Sequence, residues 1–90
     1  MREVKCIVSG IVQIVMYRSF ARGKAHTLGL VGTARNLPDG TVEILAQGEK
    51  EKLDKFVEYL HQGSIFSRVD KVDVTWGEPT VHLSEFQILL

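Results

Sequence analysis

The alternation of apolar and polar residues predicts a strand and then a helix at the start of the chain. Residues 2–11 alternate loosely and end almost wholly apolar, which is typical of a central strand. A helical pattern follows, with Ser19 as its predicted N-cap and Gly29 as the residue that ends it. The apolar side chains of this helix recur at helical spacing and are Phe20, Ala21, Ala25 and Leu28.

The alternation of apolar and polar residues in the next segment predicts a hairpin of two strands, at residues 30–36 and 41–47. The turn between them is Leu37-Pro38-Asp39-Gly40, in which Pro fixes φ, Asp bonds its own backbone and Gly adopts positive φ. Alternation divides the second strand into an apolar and a polar face. The apolar face carries Val42, Ile44 and Ala46, and the polar face carries Thr41, Glu43 and Gln47.

The last part of the chain predicts a second helix and two more strands. This helix has Glu49 and Glu51 in its first turn, where their charge offsets the dipole, and it ends near Gln62. Its apolar stripe consists of Leu53, Phe56, Val57 and Leu60. Residues 69–76 predict a fourth strand, with a slip in the alternation near Asp70 that indicates a β-bulge. The final strand alternates Phe86, Ile88 and Leu90 with polar residues.

The order of elements is β-α-β-β-α-β, with the last segment divided into strand, loop and strand. We therefore predict an α+β protein with the ferredoxin-like two-layer α/β sandwich, a mostly antiparallel sheet with two helices on one face. Residues 1–90 are expected to form a single domain. This fold hosts many functions and by itself indicates none.

Composition narrows the possible partners. The formal net charge is zero, which provides no long-range attraction for nucleic acid or acidic membranes, and the strands lack a paired aromatic platform. No apolar run approaches the roughly 20 residues of a membrane span, and the N-terminus does not resemble a signal peptide. We expect a cytoplasmic protein that binds neither nucleic acid nor membranes. The single Cys6 excludes an intrachain disulfide and is expected to be a buried thiol.

The junction between the first strand and the first helix has the chemistry of an anion site. Such a loop collects unpaired backbone N–H groups at the positive end of the helix dipole, and Arg18 adds a guanidinium group. Arg18 alone is more often a surface residue, and Asn36 alone is more often a turn residue. The three histidines His26, His61 and His82 share no visible partner and are expected at the surface.

Two motifs together resemble the acylphosphatase family. The first is Gly10-Ile11-Val12-Gln13-Ile14-Val15-Met16-Tyr17-Arg18. The second is Leu28-Gly29-Leu30-Val31-Gly32-Thr33-Ala34-Arg35-Asn36-Leu37-Pro38-Asp39-Gly40-Thr41-Val42-Glu43. The resemblance implies that Arg18 binds phosphate and that Asn36 positions the attacking water. It implies a phosphate-binding loop formed by Gln13, Ile14, Val15, Met16, Tyr17 and Arg18.

The implied reaction is hydrolysis of an acyl phosphate to a carboxylate and inorganic phosphate. A carboxylate leaving group, whose conjugate acid has a pKa of roughly 4, needs no general acid. A cradle for the phosphoryl oxygens and a group that holds water in line are therefore sufficient. We expect no cofactor and no metal, and we expect a monomer.

One departure leaves two functions open. The family has glycine where this chain has Ile14. If that position requires a left-handed backbone, a β-branched residue costs on the order of 1–3 kcal/mol. If the loop relaxes instead, loss of one phosphate donor typically costs about 10²–10³ in rate. The chain is then either an active acylphosphatase or a catalytically weakened anion-binding or regulatory module of the same fold.

Overall fold

The computed structural model describes residues 1–14 and 16–90. The elements within these ranges follow the predicted order. They are the strands β1 (Arg2–Ile11), β2 (Val31–Asn36), β3 (Val42–Gly48), β4 (Arg68–Gly77) and β5 (Phe86–Ile88), and the helices α1 (Tyr17–Thr27) and α2 (Lys50–Gln62). No helix in the described part of the chain is long and apolar enough to cross a membrane.

The five strands form one sheet in the order β4-β1-β3-β2-β5. Neighbouring strands are antiparallel except for β2 and β5, which are parallel. The predicted ferredoxin-like sandwich is confirmed. Because β1 and β2 both run antiparallel to β3, their C-terminal ends lie at the same edge of the sheet. The loop after β1 therefore lies near the turn after β2.

Both helices pack on one face of the sheet and enclose a single core. The apolar side chains predicted for α2 are buried at Leu53, Phe56 and Leu60, and Val57 is partly buried. The rings of Phe56 and Phe86 meet edge to face, with centroids 6.2 Å apart, which joins α2 to the short strand β5.

Helix α1 begins two residues before the predicted N-cap. Ser19 is not the cap: the helix starts at Tyr17, and Met16 occupies the N-cap position without a side-chain capping bond. The physical reason is the stripe of Tyr17, Ala21 and Ala25, spaced four residues apart and all fully buried. Burial of this stripe outweighs the N-cap preference of a serine. The predicted end is confirmed, because Gly29 has a φ of 69° just after the helix.

The hairpin turn and the bulge follow the predicted chemistry. Asp39 Oδ1 accepts hydrogen bonds from the Thr41 amide at 3.0 Å and the Thr41 hydroxyl at 2.6 Å. The register between β1 and β4 shifts after Ser9, which leaves Asp70 unpaired as the extra residue of a β-bulge. Gly10 lies opposite this bulge with a φ of 130°, and a Cβ there would overlap the carbonyl oxygen of Arg68.

The segment between β4 and β5 covers part of the polar face of β3. Gln47 lies on this face as predicted, yet it is only 1% exposed. Its Nε2 donates to Glu3 Oε1 at 2.9 Å and to the carbonyl oxygen of Val81 at 2.7 Å, and its Oε1 accepts from the Leu83 amide at 3.3 Å. The connection between β4 and β5 is therefore held against the sheet face opposite the helices.

Candidate active site

The start of α1 presents a backbone suited to an anion. Met16, the N-cap, has a left-handed conformation with a φ of 57° and a ψ of 31°. The first turn contains no acidic side chain, and the Met16 side chain makes no capping bond to the N–H groups of the helix end. Amides in the first turn of a helix have no carbonyl one turn earlier to accept from them. They are therefore free to bind an anion, which the helix dipole also favours.

Arg18 lies in a surface pocket at this helix start. The pocket has a volume of about 300 Å³. It is lined by Gln13, Ile14, Met16, Arg18, Ser19 and Ile88. The Nη1 of Arg18 donates to the carbonyl oxygen of Leu89 at 2.9 Å. The segment that follows β5 thus holds the guanidinium group beside the helix N-terminus. Among residues 1–14 and 16–90 this is the hydrogen bond that the guanidinium group donates, which leaves its other N–H groups to bind a ligand.

Gln13 links the loop after β1 to the hairpin turn. Its Nε2 donates to the carbonyl oxygen of Leu37 at 2.7 Å and to that of Thr41 at 2.8 Å. These two bonds use both protons of the carboxamide and span 24 and 28 residues of sequence. The sequence predicted Gln13 only as a member of the loop. Its bridging side chain could not be found from the sequence, because both partners are backbone carbonyls of a distant turn.

Asn36 lies at the same edge of the sheet as Arg18. It is the last residue of β2, it pairs with Val42 across the hairpin, and it is exposed. It is not among the residues that line the pocket of Arg18, so the structure brings the two predicted residues to one edge without placing them in one pocket. The carboxamide of Asn36 has no useful pKa but can accept one hydrogen bond and donate another.

Tyr17 is directed away from the pocket. Its side chain is fully buried, and its Oη donates to the carbonyl oxygen of Leu60 at 2.7 Å. Burial raises the pKa of its phenol well above the ordinary value. The buried ring and its hydrogen bond anchor the start of α1 to the core. Only its backbone amide can contribute to an anion site.

The side chain of Ile14 points to solvent and is 91% exposed. Among residues 1–14 and 16–90, the non-glycine residue with positive φ is Met16. Ile14 therefore does not have the left-handed backbone that would strain a β-branched residue. Met16 has that conformation instead. The side chain of Ile14 lines the pocket of Arg18. Val15, also predicted for this loop, lies outside the described residues.

Cys6 takes no part in this site. It is buried in the core, and burial raises the pKa of its thiol to about 12. A nucleophilic thiolate is therefore not formed there near neutral pH. The buried position of Cys6 agrees with the buried thiol predicted from the sequence.

Three residues near Arg18 were missed by sequence reasoning. Ser19 and Ile88 line its pocket, and Leu89 provides the carbonyl oxygen that binds its guanidinium. The last two are about 70 residues from Arg18 along the chain, and their apolar side chains carry no signal of a polar site. They reach the site because β5 pairs with β2, next to α1.

Comparison with known proteins identifies the family. A family model described as Acylphosphatase matches residues 4–88. The chain is 51% identical over 78 residues to an acylphosphatase of Thermus thermophilus, covering 87% of this chain and 89% of that protein. It is 42% identical over 89 residues to an acylphosphatase of Methylococcus capsulatus, covering 99% and 97% of the two chains.

A solved structure agrees with these sequence relatives. The crystal structure of acylphosphatase from Bacillus subtilis superimposes with a TM-score of 0.96 at 38% sequence identity, and the match covers 100% of both chains. The fold and the agreement over the full length define a small single-sheet domain of the acylphosphatase type. The chain belongs to the acylphosphatase family.

Proposed function

We propose that this protein hydrolyses acyl phosphates to a carboxylate and inorganic phosphate, with Arg18 and Asn36 as its catalytic residues. The observation that supports this most strongly is the position of Arg18 in a pocket at the uncapped N-terminus of α1. A guanidinium group and free backbone amides at one point match the charge of a phosphoryl group. Membership of the acylphosphatase family supports the same reaction.

In the proposed mechanism, the phosphoryl oxygens bind to Arg18 and to the amides of the phosphate-binding loop. These donors stabilise the charge that spreads over the equatorial oxygens in the transition state. Gln13 acts as a positioning residue, because its two hydrogen bonds hold this loop against the turn that follows Asn36. Each member of the proposed site comes from one chain, so we propose that a monomer is the active form.

Asn36 holds the attacking water opposite the leaving group. The water oxygen forms a bond to phosphorus while the bond between phosphorus and the acyl oxygen breaks. The electron pair of that bond leaves with the carboxylate, and one proton of the water passes to a phosphate oxygen. Because a carboxylate is a stable leaving group, the step requires neither a general acid nor a metal ion.

The weakened module remains the second candidate. One observation favours it: the exposed Ile14 side chain lines the pocket that a phosphoryl group would enter. In that case phosphate binds at the pocket, but turnover is low.

The test is steady-state hydrolysis of benzoyl phosphate in the presence of EDTA. We expect Arg18→Ala and Asn36→Ala each to lower kcat/KM by about 10²-fold or more, as for loss of a key transition-state donor. Arg35→Ala is the matched control, because Arg35 precedes Asn36 and pairs with Glu43 at 3.0 Å instead. Its kcat/KM should stay close to that of the unaltered protein.

Each other outcome has a distinct meaning. Phosphate binding without turnover by the unaltered protein would support the weakened module. Turnover that survives in Arg18→Ala would exclude the proposed phosphate site. Turnover that EDTA abolishes would exclude the metal-free mechanism.

A further inference from the structure

A second, larger concavity adjoins the pocket of Arg18. It is a groove of about 830 Å³ between α1 and β5, and it shares Ser19 and Ile88 with the smaller pocket. The α1 side of the groove also presents Arg22 and His26, and the β5 side presents Glu85. The two concavities therefore lie side by side along α1, with Ser19 and Ile88 at their common border. The proposed mechanism uses none of Arg22, His26 or Glu85.

A row of basic residues on α1 begins at the pocket of Arg18 and continues along the groove. Arg18, Arg22 and His26 are spaced four residues apart, so they lie on the same side of the helix. Neighbours in such a row are about 6 Å apart along the helix axis. Arg22 is exposed, and within residues 1–14 and 16–90 it forms none of the salt bridges. Its guanidinium group is free to bind an anionic ligand.

The acidic residue of the groove belongs to the opposite wall. Glu85 precedes β5, and its Oε1 accepts a hydrogen bond from Gln87 Nε2 at 2.6 Å. This carboxylate would repel an anion that approached the β5 side. An anionic group in the groove is therefore favoured next to α1, where Arg22 lies.

We infer that this groove holds the acyl part of the substrate and that Arg22 binds a second carboxylate on it. This inference rests on the proposed function, because it places the phosphoryl group at Arg18. The chain of a four-carbon dicarboxylic acid can extend from a phosphoryl group at Arg18 to a guanidinium one helical turn away. The preferred substrates are then acyl phosphates of dicarboxylic acids, rather than those with a neutral acyl chain.

The experiment compares two substrates that have the same number of carbons. Succinyl phosphate carries a terminal carboxylate, and butyryl phosphate carries a methyl group in its place. We expect the unaltered protein to have the higher kcat/KM for succinyl phosphate. Arg22→Gln should reduce this preference about tenfold, mainly through KM, as expected for loss of one charge-assisted hydrogen bond.

Lys55→Gln is the matched control, because it removes the same charge from an exposed position on α2, away from the groove. The preference for succinyl phosphate should be unchanged in this variant. An equal loss of preference in Lys55→Gln would show a general charge effect and overturn the inference.

Two further results separate the inference from the proposed function. If Arg22→Gln leaves the preference unchanged while both substrates are hydrolysed, the inference is wrong and the proposed function stands. If the unaltered protein hydrolyses neither substrate, the proposed function is wrong and the inference fails with it. Thermal unfolding of each variant confirms that the folded protein is compared.

Discussion

Gln13 donates a hydrogen bond to the carbonyl oxygen of Leu37, with 2.7 Å between Nε2 and the oxygen. This bond connects the loop after β1 to the residue that follows Asn36. The second proton of the same carboxamide binds the carbonyl oxygen of Thr41. One side chain thus fixes the distance between the two segments that carry the proposed catalytic residues.

The first prediction concerns this bridge. Gln13→Leu removes both donors with little change in size, and leaves two carbonyl oxygens without this partner. We expect the free energy of unfolding to fall by about 1–3 kcal/mol and kcat/KM for benzoyl phosphate to fall at least tenfold, because small displacements of positioning groups are costly in rate. Urea unfolding and steady-state kinetics measure the two effects.

Gln47→Leu is the matched control for Gln13→Leu. Gln47 also donates two hydrogen bonds from Nε2, but it lies near the opposite edge of the sheet, next to the pairing of Arg2 with Gly48. We expect a similar loss of stability and an unchanged kcat/KM in the folded protein. If both variants lose activity in proportion to stability, Gln13 has only a structural role.

The second prediction concerns Ile14, which stands where the family has glycine. Since the left-handed residue of the described loop is Met16, Ile14→Gly relieves no strain at position 14. We expect it to lower stability by no more than about 1 kcal/mol, through backbone entropy. Turnover of benzoyl phosphate should change less than tenfold. Activity that appears only in Ile14→Gly would support the weakened module.

The third prediction concerns the strained N-cap. Met16 has positive φ, and its side chain is 75% exposed, so it adds little packing to offset the strain. Met16→Gly should raise the free energy of unfolding by about 0.5–1 kcal/mol, because glycine adopts this conformation at no steric cost. Met16→Ala is the control and should show no gain, since alanine retains the Cβ. Equal stabilisation in both variants, measured by urea unfolding, would contradict this explanation.

The fourth prediction concerns Cys6. Its pKa is raised to about 12 in the folded protein and is about 8.5 in an unfolded chain. The stability that this thiol contributes is therefore complete below the unfolded pKa. It is lost as pH rises from about 8.5 towards the folded value.

The corresponding measurement is reaction of Cys6 with a thiol-specific disulfide reagent at pH 8. We expect labelling of the folded protein to be limited by unfolding and labelling in urea to be fast, because the thiol is buried. Cys6→Val should also reduce the loss of stability above pH 8.5. Rapid labelling under folding conditions would show that the thiol is accessible.

Local chemistry made much of the fold predictable from sequence. Pro38, Asp39 and Gly40 specify their turn through φ preferences and a bond to a residue two positions away, so no distant partner is needed. The apolar stripe on α2 and the bulge at Asp70 could be predicted from the alternation of apolar and polar residues, because this alternation shows which face of an element is buried. The position of Arg18 after a strand and beside a helix start is also a local feature, but its role in binding phosphate came from the resemblance to the acylphosphatase family and stays a prediction.

Tertiary structure determined the contacts that give the site its shape. Helix α1 starts at Tyr17, before the predicted N-cap Ser19, because the Tyr17 side chain is buried. Its hydroxyl donates a hydrogen bond to the carbonyl oxygen of Leu60, which is 43 residues away. The bridge from Gln13 and the bond from Arg18 to Leu89 both end on backbone carbonyls, which every residue carries. A sequence determines which segments become strands and helices through local backbone preferences and burial. The pairing of distant carbonyls and the groove between α1 and β5 depend on how those elements pack, and only the folded chain specifies that packing.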